Sequence, residues 1–168
     1  MKKLNEILNI KHSIIMAPMF LVTNSKMMIE AMNSGIGACI PALNFRTIEE
    51  FENSIYEIRN KTNSGGLGVN LIVNKSNIKL EKQLESCLKL EIDFIITSLG
   101  NPKKVIQKAK EKNIKVFCDV IEENYAKKVE ELGADAVIAV NKNAGGHAGN
   151  LSSKELFNKI RNNCNISI

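Results

Sequence analysis

The chain has no tryptophan, and among its 168 residues there are only two tyrosines, six phenylalanines, three prolines and two histidines. So few aromatics leave no base-stacking platform for nucleic acid, and the 23 Lys and Arg are scattered among 18 Asp and Glu rather than gathered into a patch. The formal charge of +5 therefore reads as solubility. No apolar run approaches the roughly 18 to 20 residues a membrane helix needs, and behind the two lysines of Met1 to Asn9 there is no long apolar segment to serve as a signal peptide. These absences predict a cytoplasmic chain that binds neither nucleic acid nor membrane. The four cysteines, Cys39, Cys87, Cys118 and Cys164, lie far apart, with no C-x-x-C pair and no histidine at zinc spacing, so reduced thiols and no metal are expected. Cys39 and Cys118 fall inside apolar runs, as small buried hydrophobes do. The phosphate-loop and G-x-S-x-G signatures are missing, and Gly35-x-Gly37 lacks a third glycine and opens a strand, which excludes the usual nucleotide-binding and hydrolase fingerprints.

What is present is a core-forming composition, 44% hydrophobic and 24% charged. Short Ile- and Val-rich runs alternate with amphipathic Lys- and Glu-rich segments, the rhythm of strand, crossover helix and next parallel strand. Seven runs are read as strands: Ile14 to Ala17, Ile36 to Ile40, Leu67 to Val73, Ile92 to Thr97, Ile114 to Val120, Ala136 to Val140, and a stub at Ile166 to Ile168. Their near-continuous apolar character fits strands covered on both faces. Helices are expected over Asn24 or Ser25 to Met32, over Ile48 to Arg59, after the Asn101-Pro102 start, and over Glu122 to Leu132 before Gly133. Another begins at Ser152 with Glu155 three residues on, a capping-box pattern. Thr62 to Gly66 is a loop, and no linker divides the chain, so residues 1–168 are read as one domain. A doubly wound open sheet and an incomplete barrel both suit this pattern, because a closed (β/α)8 barrel takes eight units and about 250 residues.

The segment richest in chemistry is Asn143 to Asn150, after the sixth run. Three glycines and two alanines around His147 let backbone approach a flat ligand and put an imidazole, a group able to exchange protons near neutral pH, at the carboxyl end of a strand. A flexible loop with an incidental histidine is the alternative. Met16-Ala17-Pro18-Met19 ends the first run stiffly, with Met19 open to a core-filling role as well. Asn70 puts an amide within the third strand and Asp119 a carboxylate at the end of the fifth, each a candidate ligand contact or a cap for the loop that follows. His12 sits in the lead-in and reads as a surface residue.

In order along the chain stand A-P-M at 17 to 19, G-V-N at 68 to 70, T-S-L-G-N-P at 97 to 102 and A-G-G-H-A-G at 144 to 149. This combination resembles the nitronate monooxygenase family, also called 2-nitropropane dioxygenases, and the similar flavin-dependent enoyl-ACP reductases of the second type. The likeness runs from about Ile14 to the end, with the glycine-histidine segment its most specific part. It implies an FMN-dependent (β/α)8 TIM barrel, here incomplete, with about six βα units and a strand-seven stub. Ala17, Pro18 and Met19 would lie along the isoalloxazine ring, Asn70 would hydrogen-bond to it, Ala144, Gly145 and Gly146 would let the sixth loop pass close, and His147 would be the catalytic residue. Asp119 is a substrate-side candidate. The implied reaction takes an alkyl nitronate or nitroalkane and oxygen to a carbonyl compound and nitrite. An NADH-dependent enoyl-ACP reductase is the alternative enzyme, and a non-catalytic remnant or half-barrel subunit the alternative of another kind. Family barrels hold the FMN phosphate on loops after strands seven and eight, so the chain is expected to lack that anchor and to be marginal, aggregation-prone, or completed by a second copy or a complementing chain.

Overall fold

The computed structural model describes residues 2–168. Its strands are β1 (Ile15–Met16), β2 (Gly37–Pro41), β3 (Gly66–Ile72), β4 (Phe94–Ser98), β5 (Lys115–Val120) and β6 (Ala136–Ala139). The helices are α1 (Leu4–Leu8), α2 (Ser25–Asn33), α3 (Ile48–Asn60), α4 (Leu80–Lys89), α5 (Lys103–Glu111), α6 (Glu123–Glu131) and α7 (Ser153–Asn163). All six strands are parallel and stand in the order β1-β2-β3-β4-β5-β6. A doubly wound sheet reverses its strand order at a switch point, whereas a barrel adds each strand beside the last. The unbroken order decides for an arc of a TIM barrel, and the open-sheet alternative falls.

The two faces of the arc are packed differently. On the outer face Ala38, Ile40, Leu67, Val69, Leu71, Ile95, Val116 and Val137 join the apolar stripes of the crossover helices, such as Phe51, Ile55 and Ile58 of α3, in one large core. On the inner face Cys39, Phe94, Ile96, Phe117 and Ala136 form a second, smaller cluster, against which Leu4, Ile7 and Leu8 of α1 pack. The first helix thus covers apolar surface inside the arc, at the amino ends of the strands. The Phe94 and Phe117 rings stack with centroids 5.4 Å apart, and Gly68 on the neighbouring strand leaves them room.

Helix starts follow the sequence signals. Asn24 Oδ1 accepts from Met27 N, Thr47 and Glu50 form a capping box, and Ser152 Oγ accepts from Glu155 N at 3.3 Å. Asn101 Oδ1 accepts from Lys103 N, so Pro102 stands at the cap of α5 instead of inside it, one residue from its expected place. Two helices have no counterpart among the segments read from the sequence: α1, too short at five residues to show a period, and α4. The first strand is two residues long where four were expected, because it pairs with β2 alone, at only two positions, and Pro18 follows. The seventh run appears as a parallel bridge, with Val137 N donating to Ser167 O at 2.8 Å beside the Ala136–Ser167 pair.

One device occurs twice. Asp93, just before β4, accepts from Leu67 N at 2.7 Å, and Asp135, just before β6, accepts from Val116 N at 2.9 Å. Each carboxylate satisfies a backbone N–H of the preceding strand and so fixes strand register. Asp93 also holds Arg59 at 3.1 Å. Asp93→Ala is expected to cost about 1–3 kcal/mol, the penalty for leaving the N–H of a fully buried strand residue without its acceptor. Urea unfolding reads this directly. An unchanged midpoint would show that water replaces the carboxylate.

Candidate functional site

The carboxyl ends of β3, β4 and β5 carry a chain of polar side chains on the inner face of the arc. Asn70 lies two residues along from Gly68 and shares its side of the sheet. Its Nδ2 donates to Ile96 O at 3.1 Å and to Ser98 Oγ at 2.8 Å, and Ser98 Oγ donates to Asp119 Oδ2 at 2.5 Å. The three side chains stand one per strand on the same side as Gly68, Phe94, Ile96 and Phe117 below them. Asn70 is buried, while Ser98 and Asp119 are half-buried. Below lies packed apolar core, and at this level the arc turns polar.

Burial pushes the Asp119 carboxyl above its usual range, and the Ser98 hydroxyl partly offsets this by bonding to the charged form. The stability consequence has a definite sign. A carboxyl whose folded pKa is raised holds its proton more tightly folded than unfolded, so folding stability falls as pH rises from the ordinary aspartate range through the raised value. Above that window the penalty is constant. Asp119→Asn removes the charge and is therefore expected to raise the melting temperature at pH 7 and to have less effect near pH 3. A larger gain at the acidic end would contradict this assignment. Neighbouring thiols do not supply a nucleophile: burial, followed by repulsion from Asp119, raises Cys39, and burial raises Cys118 to about 11. All four cysteines are free and buried, as expected for Cys39 and Cys118.

The other residues expected at the site line the same rim. Ala17 and Met19 are exposed and Pro18 is half-buried, in the turn after β1; Met19 fills no core position. That turn is held by Met19 N donating to Thr23 Oγ1 and by Asn44, which accepts from Leu21 N and donates to Thr23 O, both at 2.9 Å. It presents Phe20, Leu21 and Val22 as an exposed apolar lip. After β6 the loop closes through Ala144 N and Gly149 N, both donating to Asn141 O. Gly149 is a packing glycine: a Cβ there would lie 2.4 Å from Val140 O and 3.3 Å from Ile121. Gly145 and Gly146 differ, since a Cβ at either would meet nothing within 4 Å, although Gly146 also has φ +76°. Packing within this chain does not demand glycine at 145.

His147 is exposed beside them. No hydrogen bond among the described residues joins it to Asn70, Ser98 or Asp119, so the structure brings the polar chain together and leaves the histidine apart on its loop. Asp119 makes no loop cap; its partner is Ser98. His12 is exposed, as expected. Ser98 is the polar residue of this chain that sequence pattern alone does not distinguish. The signal for it was its place in the T-S-L-G-N-P segment, whose turn requires Gly100 because a side chain there would strike Val73 O. Tyr125 pins the same turn by donating to Gly100 O. Among the described residues no group of His, Cys, Asp and Glu could hold a metal, and no helix is long and apolar enough to cross a membrane.

A family model described as nitronate monooxygenase matches residues 76–166, which include Ser98, Asp119 and the whole glycine-histidine loop. The chain belongs to the nitronate monooxygenase family. A probable nitronate monooxygenase of Staphylococcus aureus is 28% identical over 181 aligned positions, covering 88% of this chain and 50% of that protein. Among solved structures, FabK from Thermotoga maritima is 29% identical with a TM-score of 0.89, covering 97% of this chain and 51% of that one. A nitroalkane oxidase from Streptomyces ansochromogenes, 19% identical, superposes with a TM-score of 0.84 over 98% of this chain and 59% of its own and shows the shared fold. This nitronate monooxygenase family chain spans about half the length of the curated relatives it matches.

Proposed function

We propose that this chain carries the ring side of an FMN site and takes part in oxidising alkyl nitronates with oxygen to a carbonyl compound and nitrite. The observation that carries this reading is the loop after β6, where His147 stands exposed beside two glycines that the chain's own packing leaves in open space. Such a segment suits a flat partner approached by backbone. The residues present fit a flavin ring in three respects. Asn70 offers a hydrogen-bonding amide from the inner face, Ala17 and Met19 are small or flexible and exposed at the end of β1, and Ala144, Gly145 and Gly146 can pass close to a planar surface. Bound FMN would supply the electron transfer between substrate and oxygen. The protein's share is then to orient the substrate and handle its proton. His147 acts as base toward a neutral nitroalkane, and the carboxylate of Asp119 stands on the substrate side. The apolar lip of Phe20, Leu21 and Val22 suits an alkyl substituent.

The test is an absorption spectrum of the purified chain after incubation with FMN and desalting, followed by oxygen uptake with ethylnitronate or propionate 3-nitronate. A retained, perturbed flavin spectrum with nitronate-dependent oxygen uptake supports the proposal. Retained flavin with no uptake, but with NADH oxidation by an enoyl thioester, would replace it with the reductase reading. A folded chain that holds no flavin would make this a half-barrel subunit without its own site. Sedimentation measured with and without FMN shows whether self-association accompanies binding.

A further inference from the structure

Asn70 can present either end of its amide to a ligand, and the structure fixes which. Ile96 O is a backbone carbonyl and can only accept, so the Asn70 atom 3.1 Å from it must be the nitrogen. That nitrogen has two protons, and the second goes to Ser98 Oγ at 2.8 Å. A serine hydroxyl that accepts there directs its own single proton elsewhere, and Asp119 Oδ2 receives it at 2.5 Å. Both amide protons are thereby used within the protein. Asn70 Oδ1 carries no hydrogen bond among the described residues, and no buried side-chain nitrogen or oxygen there lacks a partner. The unpaired oxygen is therefore not sealed in the core but keeps some access to solvent.

We propose that Ser98, anchored by Asp119, is a positioning residue that commits Asn70 to presenting a carbonyl acceptor, so that the site selects a heterocycle whose facing edge carries an N–H donor. Resting on the flavin reading above, this makes the imide edge of the oxidised ring the part recognised by β3, since in the oxidised flavin that edge alone offers a ring N–H. A ligand presenting only acceptors at that point would leave two lone pairs facing each other, which a reversible amide flip cannot relieve while Ser98 and Ile96 hold the nitrogen. Asp119 acts here through Ser98, and its effect on the ligand is one of orientation.

The experiment has two parts, and the first needs no flavin. With isotope-labelled asparagine side chains, the Asn70 amide is identified by its loss in Asn70→Asp and its proton exchange is followed by NMR. The expected result is a protected pair of protons in the wild-type chain, with exchange of one of them accelerated about fivefold to tenfold in Ser98→Ala, the loss of one ordinary hydrogen bond, and restored in Ser98→Thr. An Asn70 amide that exchanges as freely as an exposed one in the wild type, or is unmoved by Ser98→Ala, overturns the proposal. The second part titrates the chain with lumiflavin and with its imide-methylated analogue, following flavin fluorescence. The wild type should prefer lumiflavin by about tenfold, Ser98→Ala should bring the two near parity, and Ser98→Thr should keep the preference. Equal binding of the two by the wild type overturns the selection step. If neither flavin binds while the Asn70 protons stay protected and respond to Ser98, the flavin reading fails and the orientation of Asn70 stands.

Discussion

His147→Ala should slow oxidation of a neutral nitroalkane by a hundredfold or more while changing oxidation of the preformed nitronate only a few-fold, in FMN-loaded protein. The argument rests on what each substrate still has to lose. A neutral nitroalkane must surrender a proton from carbon before its electrons become available, and a positioned base typically contributes 10²- to 10⁴-fold to such a step. A nitronate has already lost that proton. If His147 serves only as the base, the two substrates should therefore separate cleanly on its removal. Its placement allows this: it sits exposed on the loop after β6, and among the described residues beyond the immediate chain neighbours none comes within 4 Å of a Cβ built at Gly145 or Gly146. Flavin retention should be nearly unchanged, because the ring contacts proposed for this loop are backbone contacts at 144–146. Stopped oxygen-electrode assays with nitroethane and ethylnitronate, run side by side, decide the matter. An equal loss on both substrates would remove the base role and assign His147 to binding or to the oxidative half of the reaction.

The sequence made the strands legible because each is an apolar run bounded by glycine, proline or a cap, and all six fall within a few residues of their expected limits. Helix starts were readable for the same local reason, as with Asn24 and Ser152, whereas the Thr47 cap of α3 emerged only with the structure. What it could not show was anything that depends on pairing across the sheet. Open sheet and barrel differ in strand order, not in strand composition, so only the resemblance and then the order β1 to β6 separated them. The site shows the same division. Asn70 and Asp119 could be picked out singly, but 49 positions apart in sequence nothing links them until Ser98, on the strand between, receives one hydrogen bond and makes the other. Ser98 is one more strand-end serine until its neighbours are known. The role of α1 was hidden likewise: five residues make too short a helix to announce itself, yet Leu4, Ile7 and Leu8 cover the inner cluster.

That inner cluster is where a single substitution should do most damage. Phe94 is fully buried, stacked on Phe117, and faces Gly68 across the β3–β4 ladder. Phe94→Ala is expected to cost about 3–5 kcal/mol, the usual figure for deleting a buried ring with incomplete collapse around it, against a total stability of about 5–15 kcal/mol for a domain. Gly68→Ala acts from the other side. A Cβ at 68 would lie 2.2 to 2.7 Å from three carbons of the Phe94 ring, closer than any real contact, so the ring must move, at a cost of about 1–3 kcal/mol. The two changes address one space and should not add. A methyl at 68 partly fills the cavity that Phe94→Ala opens, so the double variant should be more stable than the sum of the single losses predicts, by roughly 1 kcal/mol or more. Urea unfolding of the three variants gives this coupling directly. Strict additivity would mean that the ring already avoids Gly68 and that glycine is there for another reason. The consequence reaches the site, because Gly68 and Asn70 share one face of β3, as Phe94 and Ser98 share one face of β4. A displaced Phe94 ring alters the spacing of the strands that hold the Asn70–Ser98 bond, so Gly68→Ala should also speed exchange of the Asn70 amide protons.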